Sequence, residues 1–313
     1  VYRELLTDLD EGRSGISLCV SEFVRVTREA VPAKVIRRHC PEVDAGGRTR
    51  SGVPVFVQLL GGAPKPMAAT ARRAVQLGAP GIDLNFGCPA KTVNNHDGGA
   101  TLLKEPERLL SITRAVREAV PPEIPVTVKI RIGWDSADQI EAIARAAELG
   151  GGSWLTIHAR TRKQLYRPPV YWDAISRARS AVETMPVVAN GDLRAPEDLH
   201  ACAKISNCEA FMIGRGAMGA PGLFSRIRGW RKSPMEISVF ADLLSTYYAK
   251  LVAAGKTENQ ALCRVKQWLR MGAVTRDDIA WLFQHLKVKK AWEPVGEVLR
   301  DCAAGACPFA AAG

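Results

Sequence analysis

An eight-stranded parallel βα-barrel followed by a small all-helical domain is the fold class this sequence predicts. Seven short apolar runs recur at the spacing of βα units, amphipathic helical patterns fill the gaps between them, and the strand signal stops near residue 235. The runs are SLCVSEF (17–23), VPVFVQLL (53–60), GIDLNFG (81–87), PVTVKIRIG (125–133), WLTIHAR (154–160), PVVANGD (186–192) and AFMIGRG (210–216). Being apolar on both faces, they read as strands of a sheet that helices cover. Between them, MAATARRAVQLG (67–78) and SADQIEAIARAAELG (136–150) place apolar residues three and four apart and end on glycine. The segment EPERLLSITRAVREAV is a helix stopped by Pro121 and Pro122.

Seven strands are one short of a barrel. The chain opens at Val1 inside a helical pattern, so residues 1–230 read as a barrel domain that lacks its first strand. An open doubly wound sheet would share this periodicity; the polar chemistry carried at the strand ends favours the barrel. After residue 235 come four helical patterns, SVFADLLSTYYAKLVAAG, ENQALCRVKQWLRMGA, RDDIAWLFQHLKVKK and WEPVGEVLRDCAA, which define a helical domain over 231–313. The tail AGACPFAAAG is expected to fray.

Composition narrows the class. Of 313 residues, 47% are hydrophobic and 24% charged, the balance of a soluble globular chain. No apolar run reaches the ~20 residues that span a bilayer, and no secretory signal opens the chain, so no membrane partner and a cytoplasmic location are expected. Eight cysteines show no C-x-x-C spacing, which argues against a zinc ribbon, a redox dithiol or an iron–sulfur site and predicts reduced thiols and no metal. The net charge of +11 is uneven: residues 225–313 hold 14 Lys and Arg against 8 Asp and Glu. That excess suits a polyanionic partner, and equally suits solubility.

In a βα-barrel the active site lies at the C-terminal ends of the strands. Here those ends carry Gln58, Asn85 with Cys88, Lys129 with Arg131, His158 with Arg160, Asn190 with Asp192, and Gly214 with Arg215. The NGD (190–192) and GRG (214–216) turns end the last two strands, where barrels often bind phosphate through glycine N–H groups, here Gly191 and Gly214. Lys129 points into the mouth of the barrel and calls for an anion or an electron-rich ring. His158 could bond a phosphate or ring carbonyl, or be a satisfied core histidine. The segment DLNFGCPAKTVNNHDGGATLL (83–103) presents Cys88 on a Gly–Cys–Pro turn, with Lys91 and Gly98–Gly99 shaping the loop. A thiol there can donate a proton to a carbanion. The roles of nucleophile and inert thiol stay open, with His96 in the same loop as the one nearby base.

DLNFGCPAKTV…GGATLL, with VQLLG, VKIRIGW, IHARTR, VVANGD and MIGRGA in that order, resembles the tRNA-dihydrouridine synthases over nearly the whole chain. RVKQWL (264–269) and LFQHLKV (282–288) are similar to the bacterial C-type branch, which modifies uridine 16 of the D-loop. The resemblance implies an FMN barrel, NADPH as the reductant and a helical tRNA-binding domain; a monomer is expected. It implies Cys88 as the proton donor and matches Gln58, Lys129, His158, Asn190, Gly191, Asp192, Gly214 and Arg215 to FMN contacts. It also matches Asn85, Arg25, Tyr166, Arg264, Lys266 and Lys287 to tRNA contacts. Two departures stand out. The family's opening strand with its Ala–Pro–Met type motif has no counterpart here, so an open seam and an incomplete flavin site are expected. Met271–Gly272 supply no aromatic where a base-stacking side chain is expected. Other readings are a flavin-dependent pyrimidine or dihydroorotate dehydrogenase, and a tRNA-binding protein without catalysis.

Overall fold

The computed structural model describes residues 1–10 and 12–307. Each of the seven apolar runs contributes a strand, and the sheet is parallel throughout. The first run splits into β1 (Cys19–Val20) and β2 (Val24–Arg25). Then follow β3 (Val55–Leu60), β4 (Ile82–Asn85), β5 (Val126–Arg131), β6 (Leu155–His158), β7 (Val187–Asn190) and β8 (Ala210–Met212). Both β1 and β2 pair with β3, Cys19 opposite Val55 and Val24 opposite Leu59. They are one strand position interrupted between Ser21 and Phe23. The Ser21 hydroxyl bridges the break by accepting from the Gln58 N–H at 3.1 Å. Seven strand positions therefore follow one another from β1 to β8, and no pairing joins β8 back to β1 among the described residues.

The helices fall where the periodicity puts them. Pro64–Gln76, Pro106–Ala119 and Ile140–Leu149 pack successively against one another along the sheet. The first two begin on proline, whose missing N–H costs nothing at a first turn. Their buried faces (Met67 and Ala71; Leu109, Ile112 and Val116; Ile143 and Ala147) meet the outward apolar residues of the strands and drive the layer together.

The chain forms two compact units. One holds residues 17–191 and 199–212; the other holds 1–16, 192–198 and 213–313. The opening helix Tyr2–Thr7 and residues 213–230 fall in the same unit as the helices that follow residue 235. In this second unit the long helices are Ile237–Ala253, Glu258–Gly272, Asp277–Leu286 and Glu293–Ala303. Trp268 is its anchor: it is fully buried, meets Tyr2, Phe240 and Tyr247 edge-on, and donates its indole N–H to the Met218 carbonyl at 2.7 Å. Thr257 and Gln260 form a capping box at the start of Glu258–Gly272. Gly272 is buried against Gly219, and a Cβ added to it would lie 3.0 Å from the Ile279 side chain. This close crossing explains why no aromatic stands there. Of the tail expected to fray, residues 308–313 lie outside the described residues. No described helix is long and apolar enough to cross a membrane.

Candidate active site

Register builds the site. Residues facing one another across parallel strands share a face, and so do alternate residues along a strand. Gln58 stands opposite Asp83, Asp83 opposite Thr127, Asn85 opposite Lys129, Lys129 opposite Thr156, Arg131 opposite His158, and His158 opposite Asn190. One face of the sheet thus carries a belt of polar side chains while the other is apolar. A polar interior is costly unless each group finds a partner, and most of them do. Gln58 Nε2 donates to Asp83 Oδ2 at 2.6 Å, Thr127 Oγ1 donates to Asp83 Oδ1 at 2.5 Å, and Asn85 Nδ2 donates to Gln58 Oε1 at 2.7 Å. Lys129 Nζ reaches Asn190 Oδ1 at 3.4 Å, and Asn190 Nδ2 is held by the Met212 carbonyl at 2.7 Å.

Three titrations are shifted in this belt, that of Arg131 being lowered by burial. Burial drives the Lys129 ammonium down to about 8, with Asp83 pulling it up and Arg131 pushing it further down. Burial drives the Asp83 carboxyl up, against the hydrogen bonds from Thr127 and Gln58 and the charge of Lys129. The Lys129 shift has a stability consequence. An unfolded lysine titrates near 10.4, so the penalty for holding the folded ammonium is complete below pH 8 and fades to nothing by about pH 10.4. Lys129→Met should therefore raise the unfolding midpoint of the flavin-free protein at pH 6.5, with the advantage narrowing between pH 8 and about 10.4. Denaturant titrations at both pH values measure it.

Cys88 sits on the turn after β4, partly exposed, and that turn is held from several sides. The Gly87 N–H donates to Asn85 Oδ1 at 3.1 Å, and the Gly87 carbonyl accepts from Arg131 Nε at 2.9 Å. The Cys88 carbonyl accepts from Asn94 Nδ2 at 2.9 Å and from the Ala100 N–H at 3.1 Å. Gly99, at φ +63°, completes the clamp: a Cβ there would lie 2.9 Å from the Cys88 carbonyl oxygen and 3.0 Å from its Cβ. Gly99→Ala should cost about 1–2 kcal/mol of stability through the left-handed backbone alone. It should slow the reaction as well by displacing the thiol, which thermal unfolding and turnover measured together would show. The His96 ring places Nδ1 2.6 Å from the Thr92 carbonyl.

Arg131, 2% exposed, ties this turn to the loop after β6. Its Nη1 donates to the carbonyls of Thr161 (3.0 Å) and Leu165 (2.7 Å), and its guanidinium lies 5.3 Å from the Tyr166 ring centre. Tyr166 is exposed, with its ring centre 6.2 Å from that of His158. Gly191 has φ +135°, and a Cβ there would lie 3.3 Å from His158 Cδ2. Arg25 reaches the Thr92 carbonyl at 3.4 Å.

The remaining residues expected in the site belong to the other unit. There Arg215 Nη2 donates to Asp192 Oδ1 at 3.1 Å, Arg194 approaches the same carboxylate at 3.6 Å, and a Cβ on Gly214 would meet nothing within 4 Å. Arg264 is exposed and bonds Gln267 at 2.9 Å, while Lys287 is exposed and bonds Gln284. Lys266 spends its ammonium on the carbonyls of Lys287 (3.1 Å) and Lys289, beyond the C-terminus of Asp277–Leu286.

The strand-end reading left out Asp83, Thr127 and Thr156. Their signal was period two: a polar residue two positions before a recognised one in an otherwise apolar strand, as in D-x-N, T-x-K-x-R and T-x-H. Thr156 also bears on what the belt holds. Its hydroxyl is fully buried with no hydrogen-bond partner, in register with Lys129. An orphan hydroxyl beside a cation and the amides of Gln58 and Asn190 fits a flavin, whose ring offers carbonyl and imine acceptors.

A sequence model of the dihydrouridine synthase family matches residues 1–302. The chain belongs to that family. As a dihydrouridine synthase it is a flavin-dependent oxidoreductase that forms dihydrouridine in tRNA. It is 44% identical over 289 residues to the tRNA-dihydrouridine(16) synthase of Escherichia coli (strain K12), covering 92% of this chain and 90% of that one. With the enzyme of the same name from Cupriavidus necator it shares 47% over 276 residues, 86% and 83% of the two chains. With that of Shewanella oneidensis it shares 38% over 301 residues, 96% and 95%. Among solved structures, the crystal structure of TcOYE with pHBA aligns with 73% of this synthase and 84% of its own chain, at a TM-score of 0.53 and 12% identity. That likeness is one of fold and agrees with the barrel.

Proposed function

We propose that this synthase reduces the C5=C6 bond of uridine 16 in the D-loop of tRNA, with FMN as its flavin, NADPH as the reductant and Cys88 as the acid. The observation that carries the reading is the Cys88 turn, fixed at the end of β4 beside a belt of amides and one cation. The position follows the names of the relatives, each a tRNA-dihydrouridine(16) synthase.

Reduced FMN, when bound, supplies the hydride for C6 of the uracil. Gln58, Lys129, His158 and Asn190 would hold the flavin, the ammonium of Lys129 balancing negative charge on its ring. Gly191, Asp192, Gly214 and Arg215 are assigned to the same cofactor on the sequence match, the glycine N–H groups serving its phosphate. Cys88 gives its Sγ proton to C5 from the opposite face, and Arg131, the buried cation next to its turn, faces the thiolate that remains. Asn85 and Tyr166 meet the base, which must leave its stack to be reached.

The barrel domain performs the chemistry, and the helical domain that follows it binds tRNA, the protein working as a monomer. Arg25, Arg264 and Lys287 contact phosphates, so affinity falls steeply with salt. Lys266 serves by holding the basic segment 287–290 in place. Purified protein should show flavin bands near ~450 nm and release FMN on denaturation. A colourless protein that still shifts tRNA in a gel would instead favour binding without catalysis.

A further inference from the structure

Asp83 is the most deeply buried acid of the barrel unit and touches none of the groups assigned to the reaction except through Gln58 and Lys129. Both Asp83 oxygens accept, Oδ1 from the Thr127 hydroxyl and Oδ2 from Gln58, so the amide that faces it turns its NH2 inward. Gln58 does so, which leaves Oε1 as the end that meets Asn85. Asn85 must then offer its own NH2 to Gln58, which turns Oδ1 to the Gly87 N–H. Each link is donor to acceptor, and each fixes the next. The direction of the whole chain is set at Asp83, and it ends on the backbone amide beside Cys88.

We propose that Asp83 is a positioning residue for the reduction, sending one oriented line of hydrogen bonds through Gln58 and Asn85 to the Gly87 amide. This rests on the reading of Cys88 as the acid. Two consequences follow from the chemistry of the amides. The second N–H of Gln58 and of Asn85 is what remains to meet a ligand, so both present donors and both select ring carbonyls over exocyclic amino groups. The Cys88 turn also loses its freedom to rock about the end of β4, because Gly87 is held at its N–H by this line and at its carbonyl by Arg131. The negative charge has a further effect on the same wall of the site, since Asp83 favours the protonated form of Lys129.

Three substitutions separate orientation from bulk. Asp83→Asn can keep the line: its Oδ1 accepts from Gln58, and its Nδ2 donates to Thr127, whose hydroxyl then donates to the Ile82 carbonyl it already approaches at 3.4 Å. Thr127→Val removes the other hydrogen bond of the carboxylate and leaves the Gln58 branch intact. Asp83→Leu keeps the volume and removes both acceptors. Amide hydrogen exchange, followed by NMR on the full chain, reads the end of the line directly.

Exchange at Gly87 should quicken about tenfold in Asp83→Leu, with Leu155 in β6 at its wild-type rate, and should stay near wild type in Asp83→Asn and Thr127→Val. In dihydrouridine formation the Leu variant should lose about tenfold in kcat with KM for tRNA unchanged. An unchanged Gly87 rate in the folded Leu variant, or equal quickening at Gly87 and Leu155, would overturn the proposal; so would a rise in KM at constant kcat. If Asp83→Leu fails to fold, Gln58→Met breaks the line one link later and carries the same expectation for Gly87. A wild-type protein that forms no dihydrouridine would sink the functional reading instead, while the Gly87 rates would still decide whether the line exists.

Discussion

Cys88→Ala should slow dihydrouridine formation by about 10²–10⁴-fold, the usual worth of a positioned general acid. The size follows from the site. Hydride arriving at C6 puts negative charge on C5, and a proton must meet it from the other face. The groups hydrogen-bonded to that turn, the Asn85 amide and the cationic fork of Arg131, give up no proton readily at neutral pH. The defect should be confined to this step. In stopped-flow mixing, flavin reduction by NADPH should keep its wild-type rate, whereas single-turnover reoxidation by tRNA should slow by the full factor. Cys88→Ser should rescue little, because a hydroxyl is a far weaker acid than a thiol.

Arg131→Met should damage fold and function together. The guanidinium is buried and serves three backbone carbonyls, Gly87, Thr161 and Leu165. A buried acceptor left without a donor costs roughly 1–3 kcal/mol, so the variant should lose several kcal/mol in total. For a chain of this size each kcal/mol lowers the unfolding temperature by roughly 2–4 °C, a fall that calorimetry reads easily. Arg131→Lys should recover little, since an ammonium is a compact donor and cannot span carbonyls that a planar fork reaches. Below the melting range, turnover should still be depressed, because the Cys88 turn and the loop carrying Tyr166 are no longer tied to one side chain. A variant of wild-type stability would show that the fork is dispensable.

The strands and the amphipathic helices were legible because their signal is local. A buried parallel strand needs a continuous apolar run, and a covering helix needs a stripe, so both periods are written in consecutive residues. The split of the first strand into β1 and β2 was not legible, since it depends on the Ser21 side chain accepting from Gln58. Strand ends pointed to Cys88, Lys129, His158 and Asn190, which the register does bring onto one face or its adjoining turn. The deeper layer of that face stayed hidden, because Asp83 and Thr127 sit mid-strand and acquire their meaning only from partners 25 and 44 residues away. The contacts of Lys266 were not legible either: it was matched to tRNA by resemblance, and only the fold shows it capping carbonyls. Gly272, where an aromatic was expected, is explained by a helix crossing that no pattern along the chain announces.

The central claim is tested most directly by giving the purified, flavin-loaded protein NADPH and fully unmodified tRNA, then mapping dihydrouridine along the product. The account predicts dihydrouridine at position 16, absent in Cys88→Ala, and no turnover of free uracil or orotate. Reduction of the free pyrimidines with the tRNA left untouched would contradict it.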